Sequence, residues 1–249
     1  MNKKFFLPNI LLSLFILLIC GDTVNADKRP ECVILLHGLA RTENSMLKLE
    51  RGLKKQGFHV VNMGYPSRHK KIQALSAETV SRAVSACNKA GASKIHFVTH
   101  SMGGILARYY LEKKPVPNLG RVVMLSPPNR GSEAVDALKD FKIFGWINGP
   151  AGRQLGTEKE SLPNSIGPPD YDVGIITGDK TINPILSFLI PGEDDGKVSV
   201  ERAKLAGMKD FLVVHKAHPF IMNDEDIIKQ VVYFIRNGCF EKKPGKPGN

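Results

Sequence analysis

A mostly parallel β-sheet with helices on both faces is the architecture this sequence predicts. Three observations predict it. Short apolar runs alternate with longer amphipathic segments along most of the 249 residues. The runs are apolar throughout rather than every second residue, as in strands covered on both sides. Gly and Pro punctuate the joints between runs and amphipathic segments.

The elements follow in order. Cys32 to Leu36 (CVILL) is the first strand. Asn44 to Gln56 is helical, with Met46, Leu49 and Leu53 at helical spacing, and Gly57 stops it. Phe58 to Met63 is the second strand. Ile72 to Ala90 is a helix with Ala74, Val80, Val84 and Cys87 on one stripe, ended by Gly91. Ile95 to Val98 is the third strand, Met102 to Lys113 a helix, and Arg121 to Leu125 the fourth strand. Residues 126–170 lose the rhythm; they are rich in Gly and Pro and hold Phe141, Phe144 and Trp146. Asp172 to Thr177 restores a strand, Phe211 to Val214 is the last, and Ile227 to Ile235 is the closing helix. Residues 241–249 (EKKPGKPGN) read as a frayed tail.

The first 26 residues stand apart. Lys3 and Lys4 precede an apolar run from Ile10 to Cys20, and Val24-Asn25-Ala26 offers a small-residue cleavage site. This is the layout of a secretory signal peptide, and the run is short for a membrane span of about 20 residues. An uncleaved anchor is the alternative. Cleavage after Ala26 leaves one domain over 27–249, exported to a periplasmic or secreted location. It lowers the formal charge from +11 to +10, since the leader carries Lys3, Lys4 and Asp22.

Composition narrows the function classes. With 42% hydrophobic and 24% charged residues the chain is globular. The basic residues are scattered and accompany no recognition motif. With an export signal, this argues against a nucleic-acid partner. A solvated basic surface explains them; weak attraction to anionic lipid is the functional alternative. Cys32, Cys87 and Cys239 remain after cleavage, so at most one internal bridge forms, and the sequence does not choose the pair. Cys32, opening an apolar strand, reads as a small buried hydrophobe. No metal-binding spacing occurs.

The chemistry lies at the end of the third strand. Thr99-His100-Ser101-Met102-Gly103-Gly104 joins an apolar strand directly to a helix. This is the nucleophile-elbow pattern G-x-S-x-G, with Thr99 at the first glycine. Such a turn lifts the serine hydroxyl out of the sheet edge, and small neighbours let strand and helix close around it. A helix N-cap would explain Ser101 but not the strand before it or the glycines after it.

A serine hydroxyl needs an imidazole to take its proton and a carboxylate to hold that imidazole. The chain order serine, acid, histidine is met downstream. His218, in the loop after the last strand, ranks before His215, which still touches the strand end. His37 and His100 sit near the site and could hydrogen-bond there. For the acid, Asp195 ranks first because Gly196 permits a sharp turn. Asp179 comes second and Asp194 third. Two backbone N–H groups must meet the developing oxyanion. Leu39, in the His37-Gly38 turn after the first strand, and Met102, after the serine, are the candidates.

Taken together, HGLAR, THSMGG, SPPNRGS, DGKV and AHPFIMND resemble the small bacterial α/β-hydrolases of the lipase/esterase type over nearly all of residues 31–238. The resemblance implies Ser101, Asp195 and His218 as the triad and Leu39 and Met102 as oxyanion donors, and so favours Asp195 over Asp179. It also implies carboxylic-ester substrates, lipid or small-molecule, cleaved through an acyl-enzyme, and no cofactor. An acyltransferase on the same triad and a non-catalytic acyl-binding module are the alternatives. Residues 127–170 leave the fourth strand where Ser101 should open, and so are expected to form a small cap. Phe144 and Trp146 are its candidate acyl-binding residues.

Overall fold

The computed structural model describes residues 29–242. The signal-peptide reading and nearly all of the expected tail lie outside the described residues. Six strands form one parallel sheet in the order β2-β1-β3-β4-β5-β6. They are β1 Cys32–Leu36, β2 His59–Met63, β3 Ile95–His100, β4 Leu119–Leu125, β5 Val173–Gly178 and β6 Asp210–Val214.

Alternate residues of the buried strands feed two separate cores. Ile34, Leu36, Phe97, Val122 and Met124 face one side, covered by the helices over 72–89 and Met102–Lys113. Val33, Leu35, Val98, Val123 and Leu125 face the other, covered by Leu47–Lys55 and Glu225–Asn237. Both faces of β1 and β3 are fully buried, which is why these strands read as unbroken apolar runs.

Differences from the expected elements have local causes. The helix expected from Asn44 begins as a 3₁₀ turn, Glu43–Met46, before the α-helix Leu47–Lys55. The helix over 72–89 contains a π turn, Ser76–Val80. Its buried stripe is Ile72, Leu75, Val80, Ala83 and Cys87; Ala74 faces solvent, because six residues before Val80 is not a whole number of turns. β4 starts two residues early, where Gly120 crosses the His96 ring and the Arg121 N–H donates to His96 Nδ1 at 2.8 Å.

Cys32 is buried, but not as a free thiol: it is bonded to Cys87 across 55 residues, tying β1 to the helix over 72–89. Cys239 is free and exposed.

Residues 126–172 carry three short helices, Glu133–Leu138, Lys142–Arg153 and Leu162–Ser165. The second is broken at Gly149, whose φ of 63° is in the left-handed region and whose missing Cβ lets Arg68 O approach. Buried Arg108 ties the segment down, donating to the carbonyls of Asn129 and Ile166 at 2.9 Å each. The chain leaves β1 toward β2 on one side and returns through β3 on the other. The carboxyl ends of β1 and β3 therefore border the crevice where open α/β sheets bind ligands.

Candidate active site

Ser101 sits at the carboxyl end of β3 with φ 53° and ψ −125°, a conformation a non-glycine residue adopts only when its surroundings enforce it. The enforcement is visible. The Ser101 N–H donates to Leu125 O at 2.9 Å and Gly104 N–H returns to Ser101 O at 2.9 Å. A Cβ on Gly103 would overlap Leu36 O and come within 2.8 Å of His37 O. Thr99 is accommodated because Gly104 clears space for it; a Cβ there would lie 3.3 Å from Thr99 Oγ1.

His218 and Asp195 are both buried, and His218 Nδ1 lies 2.8 Å from Asp195 Oδ2. A carboxylate only accepts, so Nδ1 carries the hydrogen and Nε2 keeps its lone pair. The acid is fixed in turn. Asp195 Oδ1 accepts the N–H groups of Lys197 at 3.1 Å and Val198 at 2.9 Å, and the His218 N–H donates to Asp195 O at 2.9 Å. Gly196, at φ 96°, makes that turn possible. Asp194 is occupied otherwise, by Ser187 Oγ and the Gly196 N–H. Asp179 and His215 pair with each other at 2.9 Å and neither lines the cavity that Ser101 lines, the His215 side chain being 75% exposed. No hydrogen bond joins Ser101 Oγ to His218 Nε2 among the described residues, yet both residues line one cavity. Such contacts are commonly long before substrate binds.

The first loop carries Leu39, the oxyanion donor expected from the sequence. His37 Nδ1 lies 2.8 Å from Gly38 O and so donates to it, while its ring stacks on Tyr65 at 3.9 Å. Gly38 O and Leu39 N–H belong to one planar peptide, so holding the carbonyl also sets the direction of the N–H. Ala40, at φ 54°, donates its N–H to Ser67 Oγ at 3.1 Å. Neither the Leu39 nor the Met102 N–H meets an acceptor among the described residues. Met102 also begins a 12-residue helix whose dipole favours negative charge there.

His100 matters more than its position in the sequence suggests. It is buried, its Nε2–H donates to His218 O at 3.0 Å, and its ring packs 4.9 Å from that of His218. Burial, with His218 beside it, holds its pKa well below the usual histidine range, so it is a neutral buttress.

The cavity, about 170 Å³, lies between the sheet edge and the segment after β4. Leu39, Val135, Leu138, Phe144, Leu155 and Leu186 supply apolar wall. Phe144 therefore lies where the sequence reading expects. Trp146 does not: it is 84% exposed, outside the cavity, because its place two residues further round the helix turns it outward. Sequence reasoning missed Leu186, on the helix Pro184–Phe188. Its start was legible, since Asn183 accepts the Leu186 N–H at 3.2 Å and Pro184 follows the cap. Arg41 and Lys197, both on the cavity wall, were also given no role.

Comparison with known proteins places the chain. In the mature form, Bacillus licheniformis lipase BlEst2 is similar with a TM-score of 0.64 and 18% identity, covering 85% of this chain and 93% of that one. Aspergillus fumigatus lipase B gives 0.62 and 16%, over 88% of this chain and 54% of that one. Paleococcus ferrophilus monoacylglycerol lipase gives 0.54 and 18%, over 84% and 96%. At these identities the likeness establishes the α/β-hydrolase fold. No curated protein sequence matches the chain. The family model for palmitoyl protein thioesterase matches residues 32–163, the stretch that carries the first loop, the Ser101 elbow and most of the segment after β4. That match spans just over half of the chain, and the protein belongs to the palmitoyl protein thioesterase family.

Proposed function

We propose that the protein is a serine hydrolase that cleaves carboxylic esters of acyl chains. Ser101 Oγ attacks the ester carbonyl carbon and His218 Nε2 takes its proton. The oxyanion that forms is held by the N–H groups of Leu39 and Met102. Collapse breaks the bond to the alcohol, which leaves with the proton from His218. Water, deprotonated by His218, then releases the acid from Ser101. Asp195 keeps the imidazole in its Nδ1–H form throughout. The observation that carries this reading is the buried 2.8 Å contact between His218 and Asp195 at the wall of the cavity lined by Ser101.

The apolar wall suits the acyl half, since each buried CH₂ contributes about 0.8 kcal/mol. We read the segment over 127–170 as the cap and Phe144 as part of the acyl site. Family membership adds acyl thioesters as a second ester class, because the same acyl-enzyme serves both. The Cys32–Cys87 bond supports export, since such bonds persist in oxidising compartments.

The test is hydrolysis of a p-nitrophenyl ester series from acetate to long acyl chains, with an S-acyl counterpart of one member, by the wild type and Ser101→Ala. The proposal expects turnover by the wild type and loss of about 10⁴-fold or more in the variant. Ser101→Ala activity above about a tenth of wild type contradicts it.

A further inference from the structure

Two cations on the cavity wall have no part in the chemistry above. Arg41 follows the oxyanion loop, two residues after Leu39, and Lys197 lies on the acid loop, two residues after Asp195. Both positions are set by the catalytic loops themselves. The left-handed turn at Ala40, held by Ser67, separates Leu39 from Arg41. On the other side, the Lys197 N–H is bonded to Asp195 Oδ1.

Neither cation has a hydrogen-bond or ion-pair partner among the described residues. Neighbouring basic groups do. Arg130 pairs with Glu201 at 2.8 Å, Arg202 with Glu133 at 3.0 Å and Lys216 with Asp224 at 2.6 Å. No carboxylate lines the cavity, and the Asp195 carboxylate behind it is already shared among His218 and two backbone N–H groups. Two cations and no carboxylate therefore line the cavity, with the Asp195 charge behind its wall. Both side chains are solvent-accessible, so an anion entering the cavity mouth can reach them.

We propose that Arg41 and Lys197 form an anion subsite, so that the preferred substrate is an acyl ester bearing a phosphate or carboxylate on its alcohol half. The inference rests on the hydrolase reading for the word substrate; the subsite itself does not. The apolar wall of Val135, Leu138, Phe144 and Leu155 takes the acyl chain, which leaves the charged rim for the leaving group. Charge-assisted hydrogen bonds from guanidinium or ammonium to phosphate are the strong kind, and two of them on one anion fix its orientation.

The test separates binding from turnover. Full-length Ser101→Ala protein is titrated calorimetrically at low salt with 1-octanoyl-glycerol 3-phosphate, with neutral 1-octanoyl-glycerol and with inorganic phosphate. The proposal expects the acylated phosphate to bind about tenfold or more tighter than the neutral ester. Lys197→Met or Arg41→Gln should remove most of that gain, Lys197→Arg should keep it, and added salt should erode it. Equal binding of the two acylated ligands overturns the proposal. So does a preference that survives both charge-removing variants, or inorganic phosphate binding that both variants leave unchanged. Failure of the hydrolase reading appears separately, as absence of octanoate release by the wild type, and leaves the titration interpretable.

Discussion

Replacing Asp195 by asparagine changes one atom and should disable the site without disturbing the fold. Asp195 Oδ1 accepts two backbone N–H groups, from Lys197 and Val198, while Oδ2 faces His218 Nδ1 at 2.8 Å. An asparagine must put its single oxygen on one side. Turning the amide nitrogen toward the two backbone donors would leave both unsatisfied, at about 1–3 kcal/mol each. The oxygen therefore stays with the backbone, and the NH₂ group faces His218. His218 must then present a lone pair at Nδ1, so its proton moves to Nε2, where it cannot accept the Ser101 proton. Restoring the productive tautomer means placing two donors face to face, at about 2 kcal/mol or more for the lost charge-assisted bond. The imidazolium also loses a carboxylate charge about 4 Å away, about 4 kcal/mol at an effective dielectric of 20. Together these amount to about 6 kcal/mol, or roughly 10⁴ in kcat. The assay is p-nitrophenyl butyrate hydrolysis, with imidazole nitrogen NMR to read the tautomer. Asp179→Asn is the control, because Asp179 pairs with exposed His215; it should stay within about threefold. Asp195→Asn activity above a tenth of wild type, or a larger loss from Asp179→Asn, refutes the reasoning.

Three further outcomes follow from the geometry. Gly103→Ala forces a Cβ against the Leu36 and His37 carbonyls, so it should cost about 1–3 kcal/mol of stability and at least about 10² in kcat, measured by urea unfolding and turnover. Removing the Cys32–Cys87 bond with a double alanine variant should lower unfolding free energy by about 4 kcal/mol, the loop-closure value for 55 residues; an unchanged urea midpoint contradicts that. Burial depresses the pKa of His37, His96 and His100, so each binds its proton more readily when unfolded. Stability should hold above about pH 6.5 and fall below it, by at most about 4 kcal/mol per pH unit while all three differ. His100→Gln should reduce that slope by about a third, and a flat profile from pH 7 to 5 would contradict it.

The sheet was legible because its strands are buried on both faces. Strands such as CVILL, with no polar residue to hide, cannot be read as anything exposed. The elbow was legible for a related reason: Gly103 and Gly104 are demanded by backbone and side-chain neighbours, so local sequence carries a tertiary constraint. The same holds for Gly196 in the acid turn, at φ 96°. What stayed hidden depends on where a helix face ends up. Phe144 and Trp146 are equally apolar in sequence, but two residues apart on one helix they point to different sides, and only the docked helix shows that Phe144 is the one on the cavity wall. The cysteine pairing needed the distance between β1 and the helix over 72–89 that follows β2. Lys197 was overlooked because a lysine in a polar loop reads as solvated surface. Only its position on the cavity wall, without a partner among the described residues, sets it apart.

The central claim is that Ser101 is the activated nucleophile, and covalent trapping tests it without assuming any substrate. The full-length protein is treated with a fluorophosphonate probe, and the modified residue is located by intact-mass and peptide mass spectrometry. The account predicts a single adduct, on Ser101, absent from Ser101→Ala and formed far more slowly by His218→Ala, because the hydroxyl reacts only when the imidazole takes its proton. An unlabelled protein, or an adduct on another serine with Ser101 intact, would contradict it.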